Sequence, residues 1–324
     1  DSVDTDILFS PTYLLAEENY LEDFEEFGNF EDNPKGWALD QFVGSVNSWK
    51  VEVNPGKFPV NASSGDFAWY TDLPDPEQNQ RSWVLSPCFS FEGYAKPMIS
   101  LDLRTSLDRY QDGVSVDYTL DNGKTWSSLG EFRDGGLNWF NSDRLDEWTG
   151  YVEYSEDDNW RRAAHGLDTL IGEEEVRFRI AYRSNGDNNI KNSGFAFDNF
   201  EIKQRTRLTL LEYFSNANES GTVATDEHVK QLWETMPGDV IDVHYHTDYP
   251  DADQMNLDNP TVASSRGLFY GNTRVPYAVL DGGPYDEFLE EERRYDFTSN
   301  TPTIEDIHSR SLVDPDFAID IDVQ

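Results

Sequence analysis

Thiols are nearly absent from this sequence: Cys88 is the single cysteine among 324 residues. No internal disulfide can form and no dithiol is present, and the attacking species in thiol–disulfide exchange is a thiolate that carboxylate or hydroxyl oxygen does not replace. So low a cysteine content fits the cytosol and equally an exported bacterial protein. Cations are scarce as well. Lys and Arg number 25 against 63 Asp and Glu, a formal net charge of -38. Phosphate binding needs clustered cations to displace counterions, so nucleic acid is not expected as a partner. The apolar runs are short and interrupted, which argues against a transmembrane helix, and no signal peptide opens the chain at Asp1, so an exported protein is expected here in its mature form. Neither a His-Glu-x-x-His helix nor a Gly-x-Ser-x-Gly elbow occurs. Among so many acids, no glycosidase pair can be singled out.

Aromatic residues, by contrast, make up 14% of the chain, with nine Trp and 16 Tyr, so the acidity decorates packed β-structure rather than a disordered tail. At 37% apolar content two cores are expected, on a prior of roughly 150 residues per domain. Between about Phe24 and Glu201, short strands separated by Gly, Asn, Asp and Pro turns spell an all-β sandwich. Met98 to Arg104, Val114 to Thr119, Val176 to Arg183 and Phe195 to Ile202 read as strands. Val114, Val116 and Tyr118 alternate with polar residues, as do Val176, Phe178, Ile180 and Tyr182, each set giving one face to a core. Asp121-Asn122-Gly123 is a hairpin turn of residue types that tolerate positive φ.

Beyond the basic stretch Lys203 to Arg207 the apolar period changes from two to about 3.6 residues. Leu208 to Phe214 reads as a strand, followed by a helix capped by Asp226, with Val229, Leu232, Trp233 and Met236 on its stripe and Pro237-Gly238 as its stop. Val240 to Tyr245 is the next strand. Asn259-Pro260 opens a second helix that Gly271 closes, and Val275 to Leu280 is a strand before the Asp281-Gly282-Gly283-Pro284 turn. This order is α/β. Thr301-Pro302 opens a last helix ending near Leu312, and Phe317 to Val323 alternates as a strand. The expected fold class is multidomain, β plus α/β: an N-terminal segment over 1–22, a β-sandwich over 23–205, an α/β domain over 206–313 and the start of a further β unit over 314–324.

Several separated motifs carry a resemblance. They are Asp23-Phe24-Glu25 with Gly36-Trp37, Asn47-Ser48-Trp49, Ala62-Ser63-Ser64-Gly65, Ser86-Pro87-Cys88-Phe89, Asp112-Gly113-Val114, Asp121 to Trp126, Asn138-Trp139-Phe140-Asn141 and Gly194-Phe195-Ala196-Phe197-Asp198-Asn199. Through them the first half resembles the MAM-like and cleaved-adhesin-like jelly-roll modules of surface and secreted proteins in bacteria that use the type IX secretion route. Thr119 to Trp126 resembles the Asp-box hairpin of sialidases, a structural turn without a catalytic role. The second half, through Leu211 to Ala217, His244 to Pro250 and Arg274-Val275-Pro276, resembles thioredoxin-like domains of secreted, outer-membrane-associated proteins of the same bacteria. In that family a Cys-x-x-Cys turn follows the first of these motifs. Here the turn reads Glu219-Ser220-Gly221-Thr222, with Glu219 and Thr222 where the sulfurs would be, so the family's redox activity is not carried over. The resemblance implies a cis proline at Pro276, left with a role in backbone shape.

It also implies a structural Ca²⁺ between an acid on the first strand and one on the last, here Glu25 and Asp198, with Asp23, Asp66 and Asp112 as lesser helpers. Electrostatics points the same way: close carboxylates repel by roughly 1 kcal/mol or more per pair near a protein surface, and a divalent ion reverses that sign. His244 and His246 lie two apart on a strand and face the same way. Two ligands without an obvious third are not a metal site, and with Tyr245 and Tyr249 they form a polar-aromatic patch. Trp69, Tyr70, Trp139, Phe140 and Trp160 lie near expected turns, where a ring can stack on a sugar or partner, although most aromatics of a sandwich are core. With no complete catalytic constellation, the chain is expected to be no enzyme. Its expected role is that of an exported protein, extracellular or on the surface of a Gram-negative cell, making contacts with other surface or outer-membrane proteins or with glycans in adhesion, gliding or outer-membrane assembly. The alternative is an accessory, non-catalytic region of a secreted peptidase or glycosidase. A thiol-free holdase using the surface around Pro276 is a third reading.

Overall fold

The computed structural model describes residues 12–14, 19–26, 35–43, 47–53, 61–71, 79–109, 111–150, 160–185, 194–283, 285–286 and 291–315. The chain divides into two compact units, Asp1–Arg205 and Thr206–Gln324.

In the first unit the described strands are β1 (Thr12–Leu14), β2 (Tyr20–Glu22), β3 (Ala38–Val43), β4 (Trp49–Val53), β5 (Phe67–Thr71), β6 (Gln80–Ser90), β7 (Pro97–Ser106), β8 (Gly113–Thr119), β9 (Ser127–Ser128), β10 (Arg161–Gly166), β11 (Val176–Ser184) and β12 (Gly194–Gln204). They form two sheets. One runs β1-β6-β11-β8-β9 with β3 also on β6, the other β10-β7-β12-β5-β4 with β2 also on β12. The alternation read from the sequence is what packs them. Val84 and Phe89 of β6, Val116 of β8 and Phe178 and Ile180 of β11 meet Ile99, Leu101 and Leu103 of β7 and Phe195, Phe197 and Phe200 of β12 in one buried cluster. Each such side chain contributes about 1.5–3 kcal/mol on leaving water. Trp37, Trp49 and Trp69 gather round Phe197 with ring centroids 5.6 to 6.3 Å away. This is a β-sandwich. The four strands expected from periodicity are present as β7, β8, β11 and β12. Part of the segment 1–22, which sequence reasoning set apart, belongs to the sheets: β1 pairs in parallel with β6, and β2 antiparallel with β12.

The second unit contains β13 (Thr209–Ser215), α1 (Thr222–Thr235), β14 (Val240–His246), α2 (Gln254–Asp258), α3 (Pro260–Tyr270), β15 (Tyr277–Leu280), β16 (Tyr285–Asp286), β17 (Glu291–Glu292), β18 (Arg294–Asp296) and α4 (Ile304–Ser311). Its main sheet has the order β14-β13-β15-β18, with β14 parallel to β13 and the other neighbours antiparallel. Leu211 and Tyr213 of β13 pack with Val229 and Leu232 of α1 and Ile307 of α4.

Three boundaries differ from the sequence reading. α1 begins at Thr222 behind Gly221, not after an Asp226 cap, because the turn closed by Glu219 N donating to Asn216 O (3.0 Å) leads straight into the helix. Asp226 is already inside that helix, and Trp233 is 48% exposed, since the buried stripe is Val229, Leu232 and Met236. The segment before Asn259 forms a helix of its own, α2, whose cap Asp253 accepts from Met255 N at 2.8 Å. The last helix starts at Ile304 under a Thr303–Asp306 capping box rather than at Thr301-Pro302. As expected, α3 opens on Pro260 and ends at Gly271, which has φ 66°. The strand expected over Phe317 to Val323 lies outside the described residues. Among the described residues no helix is long and apolar enough to cross a membrane.

Candidate functional site

On the sheet containing β6, β11 and β8, every second residue points away from the core. Ser82, Val84, Val116, Ile180 and Tyr182 are buried, which leaves Trp83, Asp117, Arg179 and Ala181 on the outer face. There Arg179 donates from Nε to Asp117 Oδ2 at 2.7 Å. Its guanidinium lies 4.9 Å from the Trp83 ring centroid and 4.4 Å from that of Trp126. The hairpin between β8 and β9 sets Trp126 in place. Asp121 accepts from Thr125 N (2.8 Å), Thr125 Oγ1 (2.7 Å) and Thr119 Oγ1 (2.8 Å), and Trp126 Nε1 donates to Gly123 O at 3.1 Å. Those bonds from Thr125 and Thr119 hold the Asp121 carboxyl down at about 2. The Asp-box-like turn is thus a mount for a half-exposed indole. Sequence reasoning had quoted this turn and missed its consequence, although the alternation of β11 already puts Arg179 on the side opposite Phe178 and Ile180.

The aromatic residues proposed from the sequence as a stacking platform are placed otherwise. Trp69, Tyr70, Trp139 and Phe140 are buried in the sandwich core. Trp160 is half-buried, with its indole N–H on Asn61 O at 3.1 Å. Trp69 and Tyr70 lie within β5 rather than at a turn, and Trp139 and Phe140 pack on the buried Trp148 with ring centroids 5.0 Å away.

The first and last carboxylates expected to hold Ca²⁺ meet a common loop. Ser63 and Ser64 both donate their backbone N–H to Asp198 Oδ2 at 3.0 Å, and Asn199 N donates to Oδ1 at 2.7 Å. Asp66 N and Phe67 N donate to Glu25 Oε1 at 2.8 and 2.9 Å. Gly65, between these two clamps, has φ 58°, and a Cβ there would stand 2.3 Å from the Glu25 carboxylate carbon. A register shift between Asp198 and Glu201, with Asn199 at φ 50°, marks this point of β12. Asp198 is fully buried. Burial outweighs the three N–H bonds, Asp102 adds repulsion, and the carboxyl is pushed up to about 7. Asp198 and Glu25 thus grip one loop through its backbone N–H groups. The helpers do not join it: Asp23 accepts from Glu25 N at 3.3 Å, Asp66 is exposed and offers the loop's N–H, and Asp112 lies next to β8 in the other sheet. Among the described residues no three His, Cys, Asp or Glu side chains are gathered to hold a metal.

In the second unit the side chains of Thr222 and Glu219 are both hydrogen-bonded. Thr222 is buried and its hydroxyl donates to Asn216 O at 2.8 Å, while the half-exposed Glu219 accepts from Ser220 Oγ at 3.2 Å. Pro276, preceded by a cis bond as is Pro250, stands beside this turn, 3.7 Å from where a Cβ on Gly221 would be. His244 and His246 stack at 4.5 Å between centroids, and His246 Nδ1 lies 3.0 Å from Asp253 Oδ2. Burial, and then the charge of His246, push His244 below its ordinary value. Its Nε2 is 2.5 Å from Ser215 Oγ, but Asp226 Oδ1 is 3.9 Å from the same nitrogen. A carboxylate that orients a catalytic imidazole bonds the opposite nitrogen, and Ser215 is fully buried, so these three residues do not make a triad.

No family model and no curated protein matches the chain. Among solved structures, the chain is similar to the K1 cleaved adhesin domain of Lys-gingipain from Porphyromonas gingivalis W83, with 13% identity and a TM-score of 0.38 over 58% of this chain and 99% of that one. The K2 cleaved adhesin domain of Lys-gingipain gives 12% identity and a TM-score of 0.38 over 58% and 100%. The CBM22-1 xylan-binding domain from Paenibacillus barcinonensis Xyn10C gives 12% and 0.31 over 57% and 92%. At such scores these likenesses decide nothing about function, which rests on the chain's own geometry.

Proposed function

We propose that this chain is a non-catalytic binding protein of the extracellular space or outer surface of a Gram-negative bacterium, exported by the type IX route, in which a jelly-roll sandwich carries the binding face and a thioredoxin-like domain without thiols serves as a structural partner. The observation that carries the reading is the Trp83–Arg179–Trp126 stack: two half-exposed indoles held rigidly on an outer sheet face, in a unit whose Trp37, Trp49, Trp69, Trp139 and Trp148 are all buried. Rigid amphipathic rings with a fixed guanidinium give contact area at low entropic cost, which is what a recognition surface needs. For the second unit, the support is a mixed β14-β13-β15-β18 sheet with α1 leaving β13 at the Glu219–Thr222 turn and Pro276 beside it. Ca²⁺ belongs to this reading as a structural ion on Glu25 and Asp198, supplying the positive charge that their N–H partners lack. The fluorescently labelled chain is expected to bind intact Gram-negative cells saturably, and the double variant Trp83→Ala/Trp126→Ala to lose that binding. Turnover of a peptide, ester or glycoside substrate that one point substitution abolishes would refute the non-catalytic assignment.

A further inference from the structure

The ladder register of the outer face defines a hollow. Across three adjacent strands Trp83 stands opposite Ala181, which stands opposite Ser115. The next outward row is Leu85, Arg179 and Asp117, and the row on the other side is Arg81, Arg183 and Gly113. Two small side chains therefore form a floor, with an indole at one end and a guanidinium on each flank. Both guanidiniums are fixed. Arg179 is held by Asp117 and the two indoles, and Arg183 pairs with Glu147, donating from Nε to Oε2 at 2.8 Å and from the adjoining amino group to Oε1. Gly113 is what lets Glu147 reach that place, since a Cβ there would lie 2.1 Å from its Oε2. Strand spacing makes the patch about 10 Å across and about 13 Å along the strands, the footprint of roughly two pyranose rings.

The chemistry of the hollow selects its occupant. An indole offers a π surface to the C–H face of a sugar ring, and planar guanidinium–carboxylate pairs offer donors and acceptors side by side, as adjacent ring hydroxyls require. Charge separates neutral from acidic ligands. Arg179 and Arg183 are each already neutralised by a carboxylate, and the chain as a whole carries -38, so a phosphate or uronate gains little from them on arrival. A flat sheet face suits a flat ribbon. We propose that the hollow floored by Ala181 and Ser115 binds a neutral glycan, a β-1,4-linked pyranose chain lying along Trp83 between Arg179 and Arg183. The inference rests on the binding reading above and names its ligand.

Isothermal titration of the full chain with the β-1,4-linked hexaoses of glucose, xylose and mannose, and with an oligogalacturonate as the acidic counterpart, tests it. At least one neutral hexaose is expected to bind. Trp83→Ala should weaken it tenfold or more, and so should Ala181→Phe, which fills the floor without removing any contact and guards against a folding defect in the first variant. Phe269→Ala, at a 72% exposed ring of the other unit, should leave the affinity unchanged. Binding retained in both hollow variants overturns the location, and binding of the oligogalacturonate alone overturns the neutral ligand. If no hexaose binds while the chain still adheres to cells, the glycan inference fails and the binding reading survives. If adhesion is absent as well, both fail.

Discussion

Asp198 in the first unit and Glu212 in the second are both buried carboxylates on a strand, yet they hold their protons very differently. Burial raises each. Glu212 is then met by Arg266, whose Nε and amino group donate at 2.5 and 2.8 Å, and by the hydroxyls of Tyr270 and Tyr245, which together leave it below the ordinary range. Asp198 has three backbone N–H bonds and ends up at about 7. The contrast shows what hydrogen bonds alone do: they satisfy lone pairs without supplying the opposite charge that offsets lost hydration. The second unit repeats its solution at Asp281, where burial is outweighed by Leu210 N, Arg310 and Arg207. At Asp198 the first unit supplies backbone N–H groups in place of a cationic side chain.

The largest effect is therefore expected at Asp198. Its folded value of about 7 lies above the unfolded value of 3.8, so its contribution is fully present below about pH 3.8 and lost as pH rises through 7. In chelator, Asp198→Asn should gain on the wild type by up to about 4 kcal/mol between pH 3.5 and pH 8, on top of a pH-independent loss where its amide N–H meets a backbone N–H. With millimolar Ca²⁺ that gain should shrink, the ion stabilising the wild type and leaving the variant unmoved. Urea titrations across pH, with and without Ca²⁺, measure all of this. A wild type indifferent to Ca²⁺ at pH 8 would overturn the proposal of a structural ion.

Next in size is Arg266→Leu, which converts the second unit's arrangement into the first's by leaving Glu212 with hydroxyls and no cation. Breaking a buried pair costs about 3–5 kcal/mol, and since Arg266 is one-third exposed a loss of about 2–3 kcal/mol is expected at pH 7. The sign is opposite to that of Asp198. The pair's stabilisation is present above the unfolded carboxylate value of 4.5 and lost as pH falls through the lower folded value, so the variant and wild type should converge in acid. A loss that stayed constant down to pH 3 would mean that Arg266 acts through its guanidinium over the Phe269 and Tyr270 rings instead.

Much of this was legible in the sequence, and the parts that were not share a cause. Alternation along β8 and β11 identified the core face, and so identified the outer face by complement, but it carries no information on which outward side chains converge. Trp126 reaches Arg179 only through the Asp121 turn, and Trp83 only through the pairing of β6 with β11. In the same way the spacing of Glu25 and Asp198 in the chain says nothing of the loop they grip, because Ser63 to Phe67 contributes backbone N–H groups that every residue type but proline has. The helix after β13 was misplaced because Asp226 has the residue type of a cap while the real start, at Gly221, has no side chain to announce it.

Gly65 and Gly172 sharpen the same contrast on a smaller scale. Both have positive φ, 58° and 85°. Around Gly172 nothing lies within 4 Å of an added Cβ, so Gly172→Ala meets only the backbone penalty of the left-handed region, about 1 kcal/mol. At Gly65 the new Cβ would stand 2.3 Å from the Glu25 carboxylate, which must leave the N–H groups of Asp66 and Phe67 and carry its charge elsewhere. Adding one or two broken charge-assisted bonds to the same backbone term predicts a loss of about 2–3 kcal/mol for Gly65→Ala by urea unfolding. The clamp reading also predicts that Gly65→Ala blunts the Ca²⁺ response of the wild type while Gly172→Ala keeps it. Equal losses in the two variants would show that Glu25 grips the loop too weakly to matter, and the first unit's N–H clamps would then be consequences of its packing rather than determinants of it.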